Sequence, residues 1–334
     1  MGKGATLRQV AERAGVSPAA ASAVLSNKQG GSIRVGESTA QRVRAAADEL
    51  GYSPNRTARA LRTKRSQLLG IVIPDITNPL FPKFVRAAQE RAEELGYSTM
   101  VWDTWGEASR ERKALSTLHA HGVDGIVLVS NHLTAADLRD VVAAGVVVAA
   151  TDSEIDDDRI DRVSEDLAEG ARRATRHLLE QGHTRIAHIA GDLAVAAGRY
   201  RRDGYLEALA EAGLTGHVAG GSSFAADAGE RAMADLLAAA DRPTAVYAAN
   251  DMLAIGALRA ARAANLSVPA DVAVVGTDDI PQADVTQPAL TTLDVRSRSV
   301  ATRLVEVVVE RIQDDRAAPV REIVTPVLVR RASS

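Results

Sequence analysis

Polar side chains able to hydrogen-bond a ligand recur just past short apolar runs: Asp75, Asn131, Asp152, Asp192, Asn250 with Asp251, and Asp278 with Asp279. Carboxylates and amides in that pattern suit recognition of a polyhydroxylated or otherwise polar small molecule rather than bond cleavage. The signatures of an enzyme on such a scaffold are missing from the sequence. No Gly-x-Gly-x-x-Gly or Walker loop follows an apolar run, and no Gly-x-Ser-x-Gly elbow is present. The seven histidines contain no His-Glu-x-x-His spacing. The reading is therefore a binding protein, not an enzyme, with no cofactor and no metal. His183 is read as structural, and Asp156-Asp157-Asp158 as a solvated turn that lacks a calcium-loop pattern. Asp and Asn also favour helix caps and turns, and Asp251 and Asp279 are assigned to that role.

The apolar runs fall at 69–73, 98–102, 125–129, 146–150, 186–190, 245–249 and 272–275, with amphipathic helical stretches between them. Alternation of this kind predicts parallel βαβ units. In open α/β sheets ligands bind beyond the carboxyl ends of the strands, where the polar residues above would stand.

The chain has 334 residues, 46% of them apolar and 25% charged, which is ordinary globular usage and enough for one small and one larger domain. It contains no cysteine, which excludes disulfides and thiolate metal sites. The most apolar run, 141–150, is interrupted by Gly145 and is too short to span a bilayer, and no apolar stretch follows Lys3. Neither export nor membrane insertion is indicated, and a cytoplasmic location is expected. The net charge of −3 is unevenly spread. Residues 1–65 hold twelve Lys/Arg against four Asp/Glu, so the first segment is +8 and the remainder −11. A basic end on an acidic body points to nucleic-acid contact at one end alone.

In that basic end, Thr6-Leu7-Arg8-Gln9 forms a capping box, Leu7, Val10, Ala11 and Ala14 line one helical face, and Gly15 ends the helix. Ser17 caps a second helix with Pro18 at its first position and Ala21, Val24 and Leu25 on its apolar side. Two short helices joined by Ala14-Gly15-Val16-Ser17 read as a helix-turn-helix. A third helix over about 36–50 turns Val43, Ala46, Ala47 and Leu50 inward, with Gly51 at its end. The pattern alone also fits any small three-helix bundle.

The segments 6–17, 22–25, 49–55 and 58–62 resemble the headpiece and hinge of the LacI/GalR regulators, and the similarity continues through Pro74-Asp75-Ile76-Thr77-Asn78-Pro79-Leu80-Phe81, Ala249-Asn250-Asp251 and Val274-Val275-Gly276-Thr277-Asp278-Asp279. It covers essentially the whole chain. The implied fold is a small all-α three-helix DNA-binding headpiece over 1–52 and a hinge helix and linker over 53–65. An α/β core over 66–334 follows, made of two Rossmann-like parallel-sheet lobes like a type I periplasmic binding protein. The lobes are expected at about 66–162 with 295–321, and 163–294 with 322–331, with crossings near 161–164, 291–295 and 320–324.

The resemblance implies a sequence-specific repressor whose operator affinity is set by a small-molecule effector, with a sugar expected, bound between the lobes. The second helix would enter the major groove. Pro18, Ala19 and Ala23 stand at its base-reading positions and cannot hydrogen-bond, so apolar contact with thymine methyls is expected there, with Thr6, Ser17, Ser22, Asn27 and Lys28 nearby for phosphates or flanking bases. The family's usual Thr-Val-Ser-Arg is Ala20-Ala21-Ser22-Ala23 in this chain. The hinge, with Asn55, Arg56, Ala58, Arg59, Leu61 and Arg62, would fold on DNA and wedge Leu61 of each subunit of a homodimer into the minor groove. Arg201, Asn250 and Asp278 match the family's principal effector contacts, with Asn78, Phe81, Asn131 and Asp166 as further candidates. Phe81, Trp102 and Trp105 are the rings available for stacking.

Overall fold

The computed structural model describes residues 5–25, 35–52, 65–151, 154–314 and 318–334. The chain divides into two compact units, Met1–Ser66 and Gln67–Ser334.

In the first unit, α1 (Leu7–Ala14), α2 (Pro18–Leu25) and α3 (Glu37–Glu49) surround a core of Val10, Ala11, Ala14, Ala21, Val43, Ala46 and Ala47. The capping box is reciprocal: the Gln9 N–H donates to Thr6 Oγ1 (3.4 Å) and the Thr6 N–H to Gln9 Oε1 (2.8 Å). Gly15 ends α1 at φ 66°. The Ala20 N–H donates to Ser17 Oγ (3.1 Å), a cap worth about 1 kcal/mol. Leu50 does not face inward as expected but is exposed. Position 50 lies past the last helical residue, and Gly51, at φ 59°, reverses the chain so that Tyr52 packs on the core in its place.

The second unit holds two doubly wound lobes. The first is a six-stranded, all-parallel sheet in the order β11 (Arg321–Val324), β5 (Asp161–Glu165), β4 (Val147–Ala150), β3 (Gly125–Leu128), β1 (Leu68–Ile73), β2 (Ser98–Asp103). One face packs on α4 (Leu80–Glu94) and α12 (Ser297–Gln313) through residues such as Ile71, Phe84, Leu304 and Val308. The other packs on α5 (Ala108–Ala120) and α6 (Ala135–Ala143) through Ile126, Leu118 and Leu138. The second lobe is a four-stranded parallel sheet ordered β7 (His217–Gly220), β6 (Ile186–Ala190), β8 (Ala245–Ala248), β9 (Ala273–Val275). Against one of its faces lie α9 (Ala226–Ala238) and α10 (Asp251–Ala263), and against the other α7 (Leu167–Glu180) and α8 (Ala196–Glu211). After α11 (Pro281–Val285), β10 (Thr292–Asp294) pairs antiparallel with β12 (Val327–Val329).

The seven expected strands are all present. Five others are β5, β7, β10 and β11, which carry no clean apolar run, and β12, whose three apolar residues are too few to stand out. Two of these move the lobe crossings. Because β5 and β11 pair with each other inside the first sheet, the chain crosses just after Glu165, Asp294 and Val324, later than the ranges 161–164 and 320–324. The polar start of β5 is held by a buried ion pair, Asp161 taking Arg311 Nε at 2.7 Å and Nη2 at 2.8 Å.

Candidate functional site

The carboxyl ends of both parallel sheets open onto one cleft of about 480 Å³, within the usual range for a small-molecule site. Asp75, Ser130 and Thr151 follow β1, β3 and β4, and Glu165 ends β5. From the second lobe Asp192, Phe224, Asn250 and Asp278 follow β6, β7, β8 and β9. Arg201 reaches the cleft from α8. That helix sits close to the β6 loop because Gly198 has no side chain: a Cβ there would lie 2.0 Å from the Asp192 carbonyl oxygen.

At the centre Arg201 Nη2 lies 3.4 Å from Asp278 Oδ1, and both side chains are more than nine-tenths buried. Arg201 Nε has no hydrogen-bond partner among the described residues, and neither has Ser297 Oγ on the opposite lobe. Asp278 is held at φ 114°, a conformation that non-glycine residues rarely adopt and that clusters at ligand sites. Burial pushes the Asp278 carboxyl up to about 7 against the pull of the Arg201 and Lys83 charges. Burial likewise raises Glu165 to about 7, opposed by its own backbone N–H and by Arg201, with the Asp278 charge adding to the rise.

Of the expected effector residues, Asn78, Phe81, Asn131, Arg201, Asn250 and Asp278 line the cleft. Asn250 is already committed: its Oδ1 accepts the Leu253 N–H (2.8 Å) as the cap of α10, and its Nδ2 donates to the Phe224 carbonyl (3.1 Å). Asp166 is absent from the cleft wall. Its carboxylate caps α7 by accepting the Glu169 N–H (2.9 Å), and its neighbour Glu165 lines the cleft in its place. Asp251 is not a cap but a buried strut, accepting from Thr292 Oγ1 and the Ile280 N–H. Asp279 pairs with Arg331 at 2.8 Å. Asp152 lies outside the described residues. Among the rings, Phe81 and Trp105 line the cleft and Trp102 does not. It packs beside the outer core of the first lobe, while Phe224 and Tyr200, which sequence reasoning passed over, do line the cleft.

In the first unit Pro18 and Ala19 are exposed at the start of α2, and Ser22 and Ala23 are half-buried. The Thr6 and Ser17 hydroxyls are engaged in caps. Asn27, Lys28, Asn55, Arg56, Ala58, Arg59, Leu61 and Arg62 lie outside the described residues.

Residues 66–332 match the family described as periplasmic binding proteins and sugar binding domain of LacI family, and residues 6–55 match bacterial regulatory proteins, lacI family. The chain belongs to the LacI family. It is 33% identical to the ribose operon repressor of Escherichia coli K12 over 335 residues, 99% of this chain and all of that one. Among solved structures, a Lac repressor dimer bound to operator and the anti-inducer ONPF is 30% identical with a TM-score of 0.83, covering 99% of both chains. A complex of the transcriptional regulator CelR with cellobiose is 30% identical with a TM-score of 0.72, covering 99% of this chain and all of that one. As a LacI-family protein, the chain is a DNA-binding transcriptional regulator with an effector-binding core. No helix among the described residues is long and apolar enough to cross a membrane.

The raised carboxyls make the stability of this core depend on pH. An acid whose folded pKa lies above its unfolded one contributes most stability below the unfolded value, and that contribution is lost as pH rises through the folded one. For Glu165 the loss runs from about 4.5 to about 7. Buried His188 is pushed down to about 4 and works in the opposite sense below about 6.5, so the informative window is pH 6.5 to 8. There the apo protein is expected to lose about 1 kcal/mol, or a few degrees in Tm. Glu165→Gln should flatten the slope, because it removes one of the raised acids. A Tm difference between wild type and variant that stays constant across this window would contradict the assignment.

Proposed function

We propose that this LacI-family protein is a homodimeric repressor that binds a palindromic operator and responds to a sugar-type effector held in the cleft. The observation that carries this is the convergence of both sheets' carboxyl ends on one polar cleft centred on Arg201 and Asp278, with Phe81 and Phe224 on its walls. A guanidinium and a carboxylate placed together present donors and acceptors to neighbouring hydroxyls, and a ring face covers the apolar side of a pyranose or furanose. The names of the ribose operon repressor and the CelR–cellobiose complex support a sugar, and the operator-bound Lac repressor dimer supports the assembly. On the DNA side, the exposed Pro18 and Ala19 would meet thymine methyls while the capped N-terminus of α2 faces phosphate. Closure of the lobes around the effector changes how two headpieces are presented to two half-sites. We read this mechanism as acting in the cytoplasm and without a cofactor.

A thermal-shift screen of pentoses, hexoses, disaccharides and polyols, followed by gel-shift titration on operator DNA, tests the reading. A ligand at 100 times its Kd adds about 2.7 kcal/mol and raises Tm by several degrees. A sugar that stabilises the core should also change operator affinity. Stabilisation with no effect on DNA binding, or no stabilisation by any member, would sink it.

A further inference from the structure

The acids and bases of the cleft do not balance. Asp75, Glu165, Asp192 and Asp278 line it, against one guanidinium, that of Arg201. Asp75 and Asp192 are held by local turns, Asp75 Oδ1 accepting the Thr77 N–H (2.8 Å) and hydroxyl (2.6 Å), and Asp192 Oδ1 the Ala194 N–H (2.9 Å). His132 is spent on the Gly106 carbonyl at 2.9 Å. Asp278 has Arg201. Glu165 has its own backbone N–H and no ion-pair partner among the described residues, although the charges of Arg201 and Asp278 both act on it. The Arg201 side chain is 8% exposed and its Nε is unpartnered, so the centre of the cleft is built to be completed by polar groups from a ligand.

A wholly neutral polyol supplies that centre with hydroxyl dipoles only. When the lobes close and water leaves, Asp278 has the charges of both Arg201 and Lys83 acting on it, whereas Glu165 shares only that of Arg201 and must either take up a proton or meet a positive charge on the ligand. An ammonium group beside Glu165 would supply the missing positive charge and three donors. We propose that Glu165 is a specificity-determining residue and that the effector is an amine-bearing sugar or polyol whose ammonium group pairs with the Glu165 carboxylate. This rests on the reading of the cleft as a sugar site and narrows it to one class. Its hydroxyls would meet Arg201, Asp278 and Ser297.

The test is calorimetric titration of the full-length protein with matched sets: D-glucose, D-glucosamine and N-acetyl-D-glucosamine, and the galactose and mannose counterparts. The N-acetyl forms keep a substituent on the same atom but remove the charge. In at least one set the amine is expected to bind about 10- to 100-fold more tightly than the hydroxyl form, the range of one hydrogen bond to a charged group. Glu165→Gln should erase that preference and Glu165→Asp should partly restore it, with apo Tm confirming that each variant folds. A neutral member binding as tightly as its amine in every set that binds, or an amine preference that survives Glu165→Gln, overturns the amine proposal. The sugar reading then stands if that neutral sugar alters operator binding. Failure of every member to bind overturns this proposal, and the sugar reading falls with it only if the pentoses, disaccharides and polyols of the wider screen also fail to stabilise the core.

Discussion

Arg201→Ala is expected to abolish the response to effector, with ligand affinity falling by about 100-fold or more. The guanidinium, itself more than nine-tenths buried, contributes directional donors, and a charge-assisted hydrogen bond is worth about 1.5 to 3 kcal/mol. Its removal also leaves the buried Asp278 and the half-buried Glu165 without their shared cation, so both carboxyls should shift further upward and the loss should deepen as pH rises. Titration calorimetry at pH 6 and pH 8 measures the ligand effect, and Tm at the same two values measures the cost to the fold. A variant that responds at unchanged effector concentration would remove Arg201 from the site. A variant whose apo stability is lost equally at both pH values would show that the buried acids are not what Arg201 compensates.

Leu61→Ala is expected to lower operator affinity by a few kcal/mol, about 100-fold, while weak binding to scrambled DNA persists. The expectation follows from the family resemblance of the hinge, since Leu61 is outside the described residues. It follows also from the chemistry of α2: Pro18, Ala19 and Ala23 offer no side-chain hydrogen bond, so specificity must draw on the deformability of the central base step and on apolar contact. Arg59→Ala should behave differently, weakening specific and nonspecific binding together and reducing the salt slope by about one unit for each phosphate that is no longer neutralised. Gel shifts on operator and scrambled DNA at two salt concentrations separate the two. Full discrimination retained by Leu61→Ala would place recognition in the helix that begins at Pro18.

Local chemistry alone made much of this protein legible in its sequence. The Thr6–Gln9 capping box, the Ser17 cap and the Gly15 stop are set by residues within one helical turn of each other, so the headpiece helices could be placed from sequence. Six of the seven strands could be located because a strand covered on both faces must be apolar almost throughout, while β2, an edge strand of half-buried and exposed residues, was found from Met100, Val101 and Trp102 alone. The polar residue past six of them was then expected at the cleft from the general behaviour of parallel sheets. Tertiary structure decided what depended on distant partners. Strand β5 is Asp161-Arg162-Val163-Ser164-Glu165, which has no apolar run. It is a strand because β4 and β11 flank it and Arg311, 150 residues away, neutralises Asp161. With β5 unseen, the two adjacent acids could not be told apart, although one ends a strand at the cleft and the next caps α7. Phe224 was hidden for the same reason, since it follows β7, an edge strand whose exposed and half-buried residues show no apolar run. Strand-end polarity shows which residues can reach a ligand. Which of them remain available is settled only when the lobes pack, because a carboxylate or amide already satisfied by a backbone N–H, as Asp166 and Asn250 are, has less left to offer.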